Sequence, residues 1–257
     1  MHEPVARAGF AGFFRSDGPR RGLQLAVPVV LAVLLLLVAA QAGRLGISGL
    51  IVELAQQEVD RWVSTRKPQG MASVNRVAGY YSDSLDYVSD NPWALEGLAA
   101  MDLTRVRLSV VPQEAVAHAK AARTHLRRAL RQRPTAPFLW ANLAVAKLYL
   151  DEKDGEFFTA LRHADELGPW EPRSQEIFLF VSLAAWDKLQ AGQRRAAVLS
   201  VERGGVHNAL KMFDIVKSYG RIELVCGLKG YDVVAGPACA KAAAAMRSNT
   251  PINRGIR

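Results

Sequence analysis

Residues 137–172 read PFLWANLAVAKLYLDEKDGEFFTALRHADELGPWEP, two helix-forming stretches joined by the charged turn Asp151-Glu152-Lys153-Asp154 and bounded by prolines. Sliding the chain along itself by 35 residues pairs Leu126 with Leu161, Ala129 with Ala164, Pro134 with Pro169 and Pro137 with Pro172. Small residues let two helices approach closely, large ones fill the gap beside them, and proline ends the second helix by removing a backbone donor. The stretch therefore reads as one of several repeated helix pairs, and the fold class as all-α.

The period is close to the ~34 residues of tetratricopeptide repeats, which stack helix-turn-helix units into an α-solenoid. Trp140, Leu143 and Ala144 resemble that family's first helix, and Leu161, Ala164 and Pro169 its second. Ala122, Leu126, Ala129 and Pro134 fit another second helix upstream. There are departures. The helix carrying Trp93, Leu95, Leu98 and Ala99 aligns with the Trp140 helix only at a shift of 45, which calls for an insertion around residues 105–112. In a third unit, with its first helix over 172–190, Gln175 replaces the aromatic residue and Gly204 the proline. Helices over 206–219 and 236–247 are expected to close the stack as a cap.

Half of the 257 residues are hydrophobic, and alanine and leucine dominate after residue 90, which favours helices and excludes a disordered chain. The length allows a membrane segment plus one domain of about 200 residues. Net charge is +9 and the pI near 9.8, a balance that suits nucleic acid, anionic lipid or an acidic polysaccharide. The span described next ranks nucleic acid last, and none is expected as a partner.

Leu23 to Ala42 is a run of 20 uncharged residues, about 30 Å as a helix and so matched to a hydrocarbon core. A soluble helix would carry a polar face, and this one has none. Pro28 is placed near its start, where a lost donor is tolerated. Arg7, Arg15, Arg20 and Arg21 precede the run, and the next fifteen or so residues offer only Arg44. Positive charge stays in the cytoplasm, so the N-terminus is expected inside and the main domain in the bacterial periplasm. Ala40-Gln41-Ala42 also resembles a signal-peptide cleavage site. The long apolar stretch and long leader favour a retained single-pass anchor in the inner membrane, and both readings put the domain on the same side.

The expected organisation is a basic tail over 1–22, a transmembrane helix over 23–42, a juxtamembrane helix and linker over 43–90, a helical-repeat domain over 91–250 and a tail over 251–257. Within 43–90, a helix over 45–67 carries Leu50, Leu54, Val59 and Trp62, and Lys67-Pro68-Gln69-Gly70 breaks it. Residues 71–90, with Tyr80, Tyr81, Asp83, Asp86 and Asp90, read as an irregular linker packed on the domain.

Signs of catalysis are few. No phosphate-binding glycine loop and no Gly-x-Ser-x-Gly elbow is present, no cofactor is expected, and the chain reads as a non-enzyme. His118 and His125 lie seven apart with no acidic ligand beside them, wider than the i, i+4 spacing that zinc favours. Asp151, Asp154 and Glu156 imitate a calcium loop, but Lys153 occupies a ligand position, and a solvated turn is the better reading. Lys120, Arg123, Arg127 and Arg131 fall within about 80° on one helix, opposite Ala122, Leu126 and Ala129. Arg128 and Arg133 widen this zone. It is either an ordinary solvated face or a polyanion-binding patch for anionic lipid or acidic glycan. Asn142 and Lys147 are candidates for contact with a protein partner in the concave groove of a repeat stack, or else face water. Cys226 and Cys239, thirteen apart, are too few for a zinc site. In an oxidising compartment they either form a disulfide worth about 3 kcal/mol or stay as small buried thiols.

The stretches Trp140-Ala141-Asn142-Leu143-Ala144, Glu166-Leu167-Gly168-Pro169-Trp170-Glu171-Pro172 and Gly220-Arg221-Ile222-Glu223-Leu224-Val225-Cys226 resemble, together with the N-terminal anchor, the VpsP-type proteins of bacterial exopolysaccharide and O-antigen clusters. The resemblance covers most of the chain beyond residue 90. It implies an accessory role in surface-polysaccharide synthesis or export, beside an envelope protein of that machinery, and carries over no catalytic residues.

Overall fold

The first helix, α1 (Gly18–Thr65), runs without interruption through both the apolar run and the segment after it. The sequence reading divided this stretch into a span and a separate juxtamembrane helix. Gly43, Gly46 and Gly49 each cost a helix about 1 kcal/mol, but no proline follows them before Thr65, so propagation continues. Pro28 consequently lies inside the helix, not near its start. The computed structural model describes residues 18–65 and 70–248, with side chains over 27–65 and 70–244. Most of the basic tail, the Lys67-Pro68-Gln69 break and the 251–257 tail lie outside the described residues. Within α1, Val27–Thr65 contains the one described stretch long and apolar enough to cross a membrane, with a mean hydropathy of 2.1 in its most apolar window, which is fully exposed. The chain divides into two compact units, residues 1–46 and 47–257.

The second unit is helical, with no strand among the described residues. Residues 71–90 are not irregular. They form α2 (Met71–Tyr87), which buries Val74, Val77, Ala78, Tyr81 and Ser84 at spacings of three and four. The many Tyr, Ser and Asp residues masked that period. Ser48 of α1 is fully buried between Ser84, whose hydroxyl lies 2.8 Å away, and the Asn91 amide, which donates to it at 2.8 Å. Asn91 also caps α3 (Pro92–Leu108), accepting from the backbone of Trp93 and Ala94.

Then follow α4 (Pro112–Gln132), α5 (Pro137–Tyr149), α6 (Gly155–Leu167), α7 (Pro172–Ala184), α8 (Ala191–His207), α9 (Ala209–Ser218) and α10 (Asp232–Ser248). Proline opens α3, α5 and α7, where its missing N–H is no loss. Helices α3 and α4, α5 and α6, and α7 and α8 pack as pairs, and α3, α5, α7 and α9 also touch in succession. The extra residues expected near 105–112 lengthen helices, α3 and α4 having 17 and 21 residues against 13 and 13 for α5 and α6.

Gln175, where an aromatic residue was expected, does the work of its equivalent. Trp140 Nε1 donates to the Pro134 carbonyl at 2.7 Å, and Gln175 Nε2 donates to the Pro169 carbonyl, so the 35-residue shift preserves both donor and acceptor. Gly204 lies inside α8, where a Cβ would strike Met212 of α9. The C-terminal helices gather around Met212, Val216, Val225 and Tyr231. A disulfide joins Cys226 to Cys239, with Cα atoms 5.6 Å apart. Gly227 (φ 83°) and Gly230 (φ 92°) form the return, while Gly236 and Pro237 are already within α10.

Gly97 of α3 faces the ring of Tyr81, and a Cβ there would overlap its Cε1, Cζ and Cε2 atoms. Gly97→Ala is expected to destabilise the domain by about 1–3 kcal/mol in urea denaturation of the detergent-solubilised chain. Combining it with Tyr81→Leu should cost less than the sum of the two single changes.

Candidate functional site

Helix α5 ends in a lysine that cannot reach water. Lys147 is only 1 % exposed, and the turn after α5 folds three carboxylates back onto it. Its Nζ donates to Glu152 Oε2 at 3.0 Å, Asp154 Oδ2 at 3.0 Å and Glu156 Oε2 at 2.8 Å. Asp151 takes a left-handed conformation (φ 56°) to start the turn, and Asp154 caps α6 by accepting from Phe157 N. From the other side α4 supplies Arg127, which forks onto both oxygens of Glu156 at 2.8 and 2.6 Å, and Arg123, which pairs with Glu152. Three cations and three carboxylates thus tie α4, α5 and α6 together.

The electrostatics are mutually reinforcing. The hydrogen bonds from Arg127 hold Glu156 down to about 2; burial opposes them and Lys147 adds to them. Arg123 first, then Lys147, lowers Glu152 against a burial effect of the opposite sign. Burial disfavours the charge on Lys147, yet the bonds to Glu156, Asp154 and Glu152 outweigh it and raise its pKa above the ordinary lysine value.

This cage corrects the reading of Lys147 as a groove contact, since its ammonium is spent inside the fold. It also accounts for the calcium-like spacing: Asp154 and Glu156 do surround a cation, and the cation is Lys147. The candidate polyanion-binding residues are placed on α4 as expected, but three are engaged. Arg123 and Arg127 belong to the cage, and Arg128 donates to the Ser89 carbonyl and to Asp90 at 3.0 Å. Arg133 pairs with Glu96 at 2.5 Å and lies 3.7 Å over the Trp93 ring. Lys120 and Arg131 are exposed. His118 and His125 do have an acidic neighbour, the buried Asp102 of α3, 3.8 and 3.0 Å from their Nδ1 atoms, with Arg105 on the same carboxylate at 2.8 Å. No metal-holding group occurs among the described residues.

What remains open is the inner surface of the first helices. Two adjoining hollows of about 510 and 490 Å³ share Ala100 and Phe138. The first runs between α1, α2 and α3, past Val52, Tyr81 and Trp93, to Arg173. The second lies over α3, α5, α7 and α9, with Leu103, Asn142, Val145, Ile177, Phe180 and Ile215. Asn142 does line the groove, its amide donating to the Phe138 carbonyl at 3.1 Å. Phe138, Ile177 and Phe180 are half-buried there and Trp93 is 56 % exposed. Sequence reasoning missed these apolar residues, although the signal was present. Carrying Asn142 and Val145 forward by 35 residues lands on Ile177 and Phe180, and Phe138 lands on Arg173.

No family model, curated protein or solved structure matches the chain.

The charge cage makes two predictions. Removing the acids together (Glu152→Gln, Asp154→Asn, Glu156→Gln) leaves an ammonium buried without a counter-charge and should cost about 3–5 kcal/mol. Lys147→Met should cost less, because the carboxylates it abandons reach water. Glu156 titrates at about 2 in the fold against an ordinary 4.5, so its contribution is complete above pH 4.5 and disappears as pH falls toward 2. A melting-temperature profile should fall across that window in the natural chain and fall less in Glu156→Gln.

Proposed function

We propose that the protein is a membrane-anchored helical adaptor whose inner groove holds a segment of a protein partner. The groove carries this reading: a run of half-buried apolar side chains crosses α3, α5 and α7 and is bordered by polar groups such as Arg107, Asn142 and Glu176. That mixture suits a helix or extended segment docked by its apolar side and oriented by a few polar contacts. The helix pairs are taken as tetratricopeptide-like units, supported by the 35-residue spacing and the matched Trp140 and Gln175 hydrogen bonds.

Two observations support a location across the membrane. Helix α1 has the length and hydropathy of a span, and the Cys226–Cys239 disulfide suits an oxidising compartment, here the periplasm with the N-terminus inside. The resemblance to VpsP-type proteins supplies the process: the partner is a component of surface-polysaccharide assembly, and the adaptor keeps it at the inner membrane. A second reading, an acidic glycan or anionic lipid held on α4, draws on less, because Arg123, Arg127 and Arg128 already have carboxylate partners.

A photo-crosslinking amino acid at Ile177, in the full chain in native membranes, tests the groove. It should capture an envelope protein, with adducts falling at least tenfold when Phe138→Glu and Phe180→Glu are added. The same probe at Lys120, on the outer face, should capture none. Equal capture at both positions, or none at Ile177, would refute the adaptor reading.

A further inference from the structure

Helix α1 has three faces after residue 46. Ser48 and Ala55 are fully buried against α2 and α3, with Ile51 and Trp62 half-buried beside them. Gly49, Val52 and Gln56 line the groove. The third face carries Ile47, Leu50 and Leu54, which are 43 %, 68 % and 58 % exposed. At about 100° per residue these three fall within roughly 60° of one another, pointing away from both other faces. A terminal helix of a stack ordinarily turns a polar outer face to water, and this one turns leucine and isoleucine.

We infer that this face is a seam for a second copy of the chain, forming a parallel dimer. The spacing itself points to a helix as the occupant. Ile47, Leu50 and Leu54 follow one another at three and four residues, and the same alternation continues back in sequence through Gly43, Ala40 and Leu36. That 3–4 alternation is the pattern of two-helix packing, and glycine and alanine within an apolar span permit close approach. The choice of a second copy follows from the anchor. Two copies inserted in the same direction carry residues 47–54 at the same distance beyond the span, so Leu50 meets Leu50 with no adjustment of register. Three side chains bury far less than the ~1,200 Å² of a stable soluble interface, so the seam depends on its continuation into the span and on confinement of both copies to one bilayer. The inference rests on the membrane reading of α1 and is independent of what the groove holds.

Single-cysteine crosslinking of the full chain in membranes tests it. The two natural cysteines are already bonded to each other, so an introduced cysteine is the sole free thiol. On mild oxidation, Leu50→Cys and Leu54→Cys should give a covalent dimer at least fivefold more abundant than Gln56→Cys, on the groove face. Adding Ile47→Glu to Leu50→Cys should remove that excess, while the protein stays folded by circular dichroism, since position 47 meets no core. Equal crosslinking at positions 50 and 56 would mean random collision and would overturn the seam. So would a lack of dimer at position 50, or a dimer that Ile47→Glu leaves unchanged.

Discussion

Ala122, Ala129, Ala141, Ala144, Ala160 and Ala164 are all at most 1 % exposed, buried where α4, α5 and α6 cross. With nothing beyond Cβ at these positions the backbones approach closely, and Leu126, Leu139, Leu143, Phe157 and Leu161 fill the spaces between contacts. This close approach determines the rest of the middle of the domain. Lys147 is buried beside this crossing, and the turn from Asp151 to Glu156 brings carboxylates to it. The close approach also brings α4 near enough for Arg123 and Arg127 to reach the same acids.

The distribution of charge then separates the two surfaces of the helix pairs. Away from the groove, cations and acids from different elements neutralise one another: Arg123, Arg127 and Arg128 each find a carboxylate, and Arg203 of α8 finds Asp165 of α6. The net positive charge of the chain is therefore a poor guide to any concentrated basic patch on α4. On the inner side the first helices expose Phe138, Ile177 and Phe180, bordered by Arg107, Arg173 and Glu176, and there lies the apolar surface.

Much of the architecture was legible because its determinants are local. Proline at 134 and 169 marks the ends of second helices, and alanine and leucine at a fixed shift mark the crossings. Helix α2 was not legible, since its buried Val74, Val77 and Tyr81 are diluted by Ser, Asp and Tyr at the surface positions. The length difference of the first pair reads in sequence as an insertion around residues 105–112, and a shift in alignment does not say whether such residues lengthen helices or a loop. Asn142 lines the second hollow, while its amide is taken up by the Phe138 carbonyl one turn back. The cage around Lys147 was not legible because Arg123 and Arg127 reach it from another helix, 29 residues away for Arg123 and Glu152, and only the folded chain brings these groups together. The pairing of Cys226 with Cys239 was left open by spacing alone, and the left-handed turns at Gly227 and Gly230 are what bring the two together.

The central claim, that α1 crosses a membrane and delivers the groove-bearing helices to the far side, is tested most directly by topology. A reporter enzyme that acquires activity only after export, joined in frame after residue 248, should be active in intact cells. A reporter that functions only in the cytosol, joined at the same point, should be silent. The reverse pattern would contradict the account.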